Sequence, residues 1–194
     1  MSAALKYPVP LPMTVRDFMI WDPGDHQRYE LVDGLPRAMA PTALPHGVLQ
    51  NEVGSLIRNH LREHRPGCVV AANPGVSPRV LSAQNVRIPD LGVTCSPVIS
   101  GEALMHEPIL LIEILSPSNY SETWSNVWTY CSIPSLREIL VLHSTRMRAE
   151  VLRRGADGTW SGEPEQITQG ELTLDSIGFR IDLAAVYAGT DVTD

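Results

Sequence analysis

Two acidic residues stand where ordinary folding would not put them. Asp90 follows a proline in the short extended segment Val86-Arg87-Ile88-Pro89-Asp90-Leu91-Gly92-Val93, and Glu113 interrupts the apolar run Pro108-Ile109-Leu110-Leu111-Ile112-Glu113-Ile114-Leu115. A run this apolar, rich in branched side chains and bounded by Pro108 and Pro117, predicts a strand covered on both faces. A carboxylate inside it needs a cation, a metal or a proton, because an unpaired buried charge costs several kcal/mol. Two carboxylates on neighbouring strands make the simplest divalent-metal site that a sheet can build. Ligation by oxygen suits Mg²⁺ or Mn²⁺ rather than zinc. The competing assignment is structural: a buried ion pair of these acids with an arginine such as Arg87 or Arg137.

Pro89-Asp90 and Glu113-Ile114-Leu115-Ser116-Pro117-Ser118, with Tyr29-Glu30-Leu31-Val32-Asp33-Gly34 upstream, resemble the Uma2-type (DUF820) branch of the PD-(D/E)xK nuclease superfamily. The likeness runs from Tyr29 to Leu142 and weakens beyond. It implies an α/β fold of the restriction-endonuclease type, a mixed β-sheet flanked by helices. The activity it implies is a Mg²⁺-dependent (or Mn²⁺-dependent) DNA endonuclease, in which the ion lowers the pKa of the attacking water and offsets charge on the phosphate. Asp90 and Glu113 match the metal ligands, and the backbone carbonyl of Ile114 would complete the protein's share.

The resemblance also brings Glu30 and His46 toward that site. From the residues themselves, Glu30 is equally an exposed strand position and His46 equally a surface residue at a helix start. In this branch the superfamily's lysine moves from the place held here by Leu115 to the following helix. With Tyr130 as the reference point that place falls on Asn126, and Glu122 stands where an aspartate is common. Lys6 is the only lysine in the chain. An asparagine holds water by hydrogen bonds but brings no charge. Three outcomes follow: an arginine or a histidine such as His46 supplies the lysine's role, or the site binds metal and cuts slowly, or it does not cut and the chain is a lapsed nuclease fold that binds nucleic acid or protein. Cutting both strands of DNA favours paired sites, hence a homodimer.

The elements that must position these groups show as patterns. Thr14 to Trp21 predicts a short helix, with Thr14 and Asp17 as a capping box. Asp33-Gly34 between apolar segments predicts a hairpin. Pro45 to Arg65 predicts a long helix that buries Leu49, Val53, Leu56, Ile57 and Leu61. Strands are expected over Cys68 to Ala72, Val76 to Leu81 and Val86 to Thr94. A helix from Tyr120 to Cys131 follows the Glu113 strand, with Trp124, Val127, Trp128 and Cys131 toward the core. Glu138 to Leu142 and Arg148 to Arg153 read as further strands. Weaker ones are expected near Trp160 and Leu172 to Leu174, with a closing helix from Asp182 to Tyr187. Residues 1–12, with three prolines, read as an irregular arm, and 13–190 as one domain.

His60-Leu61-Arg62-Glu63-His64 has the residue order of an inverted zinc-peptidase motif. It abuts Pro66-Gly67 and is flanked by arginines, which predicts a solvated last helical turn instead. No glycine-rich phosphate loop, G-x-S-x-G elbow or Cys-x-x-Cys pair is present.

The net charge of −7 works against a nucleic-acid partner. Only local patches could serve one, and the candidates are Arg58, Arg62 and Arg65, then Arg146, Arg148, Arg153 and Arg154. No apolar run approaches a membrane span, and no export signal is visible. The three scattered cysteines, Cys68, Cys95 and Cys131, are expected to be reduced core residues of a cytoplasmic protein.

Overall fold

In a computed structural model, which describes residues 12–117 and 119–192, the elements run α1 (Val15–Met19), β1 (Tyr29–Val32), β2 (Leu35–Ala38), α2 (Leu44–His64), β3 (Val69–Ala72), β4 (Leu91–Thr94), β5 (Pro108–Leu115), α3 (Tyr120–Tyr130), β6 (Glu138–His143), β7 (Ala149–Arg153), β8 (Glu165–Ile167), β9 (Glu171–Leu174), β10 (Phe179–Asp182) and α4 (Leu183–Val186). The expected N-terminal arm, apart from Pro12, lies outside the described residues.

The apolar run around Glu113 is β5, the centre of a six-stranded sheet ordered β3-β4-β5-β6-β7-β8. Only β5 and β6 are parallel, joined through α3 as such a crossover requires. Alternation along β5 sends Leu110, Ile112 and Ile114 against Leu49, Val53, Ile57 and Leu61 of α2. Leu111 and Leu115 go the other way, against Val127 and Tyr130 of α3. The sheet is therefore mixed and covered by a helix on each face, as expected.

At the edges of this core the small devices are those the residues demand. Thr14 Oγ1 accepts from the Asp17 N–H while Asp17 reaches back to Thr14, which starts α1 with a capping box. Asp33 and Gly34 both have positive φ, 51° and 81°, as a two-residue hairpin turn requires.

Several expectations are corrected. Val76 to Leu81 is not a strand: Val76 makes one bridge to Arg87, and the chain then turns, with Leu81 in the left-handed region. Val86 to Thr94 is extended, but only its last four residues join the sheet. Near Trp160 there is one bridge, to Arg154, and the sheet's outer strand is the later β8. The side of α3 turned to the core is set by Thr123, Val127 and Tyr130, so Trp128 is left 48% exposed. Cys68 and Cys95 are not reduced. They form a disulfide one step beyond the Val69↔Thr94 pair, where antiparallel register places them opposite. Cys131 is free, and burial pushes its thiol up to about 11. No described helix is long and apolar enough to cross a membrane.

Candidate active site

Strands β4 and β5 pair Leu91 with Ile112, and that register continued by one residue places Asp90 opposite Glu113. The Asp90 carbonyl accepts from the Asn73 N–H at 2.9 Å, so its backbone faces β3. Asp90 and Glu113 thus occupy the kind of antiparallel pair that exchanges no backbone hydrogen bonds and holds side chains closest. Residues separated in sequence meet because two strands share a register.

Each acid is held by the element behind it. Asp90 Oδ2 accepts the Ile114 N–H at 2.7 Å, and Asp90 Oδ1 lies 2.8 Å from His46 Nε2. Gln50, one turn along α2 from His46, donates to the Asp90 carbonyl at 2.7 Å. Glu113 Oε1 accepts from the Tyr130 hydroxyl at 2.7 Å, between the sheet and α3. Glu30 arrives on β1, which is tied down by the Leu31↔Val86 bridge, and its Oε1 accepts the Ile88 N–H at 3.0 Å. The carbonyls of Ile109 and Leu115 accept from Arg137 and Ser144 on the β6 side. Alternation then turns the Ile114 carbonyl toward β4, the side on which Asp90 lies.

Burial, and after it the charge of Asp90, holds the Glu113 carboxyl well above the usual glutamate range, against the pull of the Tyr130 hydrogen bond. Burial likewise raises Glu30. The same desolvation, reinforced by Glu113, lifts the Tyr130 hydroxyl well above its ordinary value, so it stays a donor.

The ion pair with arginine does not form. Arg87 Nη1 donates to the Leu31 carbonyl at 2.7 Å, and among the described residues the side chain that meets the Asp90 carboxylate is His46. Glu113 has no cationic partner among them. A cleft of about 190 Å³ opens over the acids, lined by Glu30, His46, Asp90, Glu113 and, from α3, Asn126. Five of the residues expected at the site therefore line one space, and Ile114, expected through its carbonyl, is not among the lining residues. Arg37 and Glu122 stand on its wall as an exposed pair 3.1 Å apart. The described residues include no lysine.

No three His, Cys, Asp or Glu side chains among the described residues are grouped as a metal cage. Two carboxylates and a carbonyl would suit an oxygen-ligated ion that keeps several waters. The inverted zinc motif is not a site. His60 Nε2 donates to the Ile177 carbonyl at 3.0 Å, His64 Nδ1 to the His60 carbonyl, and the two rings stack 4.6 Å apart.

Residues 15–184 match the Uma2 family model, described as "Putative restriction endonuclease". The chain belongs to the Uma2 family. An uncharacterised protein of Synechocystis sp. (strain ATCC 27184 / PCC 6803 / Kazusa) is 26% identical over 183 residues, 93% of this chain and 94% of that one. The crystal structure of "a putative nuclease belonging to DUF820" from Anabaena variabilis superposes with a TM-score of 0.72 at 15% identity. The match covers 92% of this chain and 99% of the other, and shows that the Uma2 chain has the fold of that protein.

Two residues that hold this Uma2 site did not stand out as site residues in the sequence. Gln50 had a signal, its i,i+4 spacing from His46. Nothing in sequence revealed that the Tyr130 hydroxyl would point at Glu113, because that contact depends on how α3 lies on the sheet.

Proposed function

We propose that this Uma2 chain is a Mg²⁺- or Mn²⁺-dependent DNA endonuclease centred on Asp90 and Glu113. The reading rests on one observation: two buried carboxylates face each other across neighbouring strands, in an open cleft, with no arginine or lysine beside Glu113 among the described residues. A buried acid pair without a cation is costly, and a divalent ion is the partner that offsets both charges. Asp90, Glu113 and the Ile114 carbonyl would hold it. Bound there, it would lower the pKa of a water and offset charge on a phosphate.

The chain's own groups divide the remaining work. Tyr130 and the Ile114 N–H fix the two carboxylates in place. His46 orients Asp90 at its edge of the cleft. Asn126 can hold a water by hydrogen bonds, and Glu30 adds a third carboxylate to the wall.

A second reading has its own support. Asn126 occupies the cleft wall where a charged base would be useful, and Arg37 beside it is already paired with Glu122. The lapsed alternative is a fold that binds the ion and nucleic acid but does not cut. Isothermal titration with Mg²⁺ and Mn²⁺, run beside supercoiled-plasmid nicking by wild type, Asp90→Ala and Glu113→Gln, separates the two. Nicking that requires metal and disappears in both variants supports the enzyme. Metal binding without nicking supports the lapsed fold, and no metal binding by wild type removes the proposal.

A further inference from the structure

The candidate cleft is lined by the carboxyl groups of Glu30, Asp90, Glu113 and Glu122, and among the described residues that line it one side chain, Arg37, is permanently cationic. The hairpin puts it there. The β1–β2 register sets Arg37 directly opposite Glu30, so the two side chains leave the same face of the ladder. Glu30 is buried, with its carboxylate turned to the Ile88 N–H, whereas Arg37 stays at the surface and reaches Glu122 in the first turn of α3. Burial is what chiefly raises the Glu30 carboxyl, but Glu122 also raises it and Arg37 lowers it, so the pair acts within electrostatic reach of the buried acids.

The Arg37–Glu122 pair is built to exchange. Its side chains are 55% and 45% exposed, and ion pairs in contact with water contribute little to stability. Among the described residues Arg37 uses one donor, Nη1 to Glu122 Oε1 at 3.1 Å, out of the five N–H groups that a guanidinium carries. The rest of the fork is open to the two oxygens of a phosphate, which it matches in shape and meets by stronger, charge-assisted hydrogen bonds. When Arg37 leaves, Glu122 is already close to solvent, so no buried charge is uncovered.

We propose that Arg37 binds a phosphodiester of the DNA entering the cleft, and that Glu122 holds the guanidinium until that phosphate takes its place. This rests on the nuclease reading and deepens it: the positive charge that Asn126 lacks comes from the hairpin and meets the substrate directly. Fluorescence anisotropy with a labelled DNA duplex in Ca²⁺, and Ca²⁺ titration of the same samples, test it. Arg37→Gln should weaken duplex binding about 10-fold without loss of Ca²⁺ binding, and Arg37→Lys should recover part of it, since an ammonium meets phosphate as a point charge. Glu122→Gln should tighten duplex binding about 3-fold, and by less when combined with Arg37→Gln, because part of its effect runs through the arginine. Arg180→Gln and Glu171→Gln break an exposed pair of the same kind that does not line the cleft, and should leave both affinities unchanged. An Arg37→Gln variant that binds duplex as wild type does, or equal tightening by Glu122→Gln in both backgrounds, overturns the inference and leaves the nuclease reading standing. If Arg37→Gln does not fold, a Glu122→Gln variant that fails to tighten binding overturns it in its place. A wild type that binds no Ca²⁺ or no duplex removes the nuclease reading, and the inference with it.

Discussion

Glu113 binds its proton more tightly in the folded chain than in the unfolded one, first because it is buried and then because Asp90 is charged beside it. The native state therefore carries more protons than the unfolded state over the window between the ordinary glutamate value and the raised one. Stability of the metal-free protein is greatest below that window and falls as pH rises through it. Glu113→Gln keeps the shape and the Tyr130 hydrogen bond but cannot ionise. It should gain about 1–3 kcal/mol at pH 8, the usual scale for a buried unsatisfied polar group, and flatten the pH profile. Thermal melts from pH 5 to 9 check this, and parallel profiles for the two proteins would refute it. Tyr130→Phe should act in the opposite direction, costing about 1 kcal/mol and moving the onset of Mg²⁺ binding to higher pH. A titration series against pH reads that shift. The two acids were legible in the sequence because a charge in an apolar run demands a reason. The tyrosine was not, since its partner is separated from it by the packing of a helix on a sheet.

The elements carry these groups to one place, and two of the connections can be broken selectively. Gly34 sits at φ 81° in the β1–β2 turn, where a Cβ would come within 2.4 Å of the Pro12 Cβ. Gly34→Ala should cost about 1–3 kcal/mol from strain and overpacking, and should weaken metal binding by displacing the hairpin that delivers Glu30. Calorimetry and metal titration of the same sample test both halves; a stable variant with reduced metal binding would show that the turn serves the site more than the fold. The disulfide closes a loop spanning 27 residues between β3 and β4. Chain-entropy arguments give about 3–4 kcal/mol for a loop of this length, so Cys95→Ala, or reduction of wild type, should lower Tm by roughly 10 °C. Asp-Gly announced the hairpin, and helical spacing announced α2, because both signals are local. The cysteine pair was hidden by its dependence on strand register. β8 and β10 were hidden because they are short, and three or four residues show too little alternation to stand out.

At the scale of the whole molecule the difficulty for a DNA-binding reading is charge: −7 overall, with arginine groups that the sequence offered as basic patches. The second group is largely spent on the fold. Arg148 pairs with Glu150, Arg153 with Glu138 and Glu165, and Arg154 donates to the Gly158 carbonyl. Arg58 and Arg62 on α2 and Arg65 at its C-cap are exposed, and a sequence cannot reveal which arginines are consumed by carboxylates brought near through the sheet. With about two or three phosphates neutralised, log K for duplex DNA should fall with log salt at a slope of about −2 to −3, far shallower than for a dedicated DNA-binding protein. The acids at the cleft should repel phosphate until a divalent ion offsets them. Mg²⁺ ordinarily competes with proteins for DNA, since both neutralise the same backbone. Here added Mg²⁺ should tighten binding by wild type and loosen it in Asp90→Ala, a change of sign between two proteins that differ only at residue 90. Fluorescence anisotropy with a labelled duplex, at fixed ionic strength and with Ca²⁺ as a non-cleaving control, measures it. Equal weakening by Mg²⁺ in both proteins would mean that no ion bridges the acids to the phosphate, and the DNA-directed role of the cleft would fall with it.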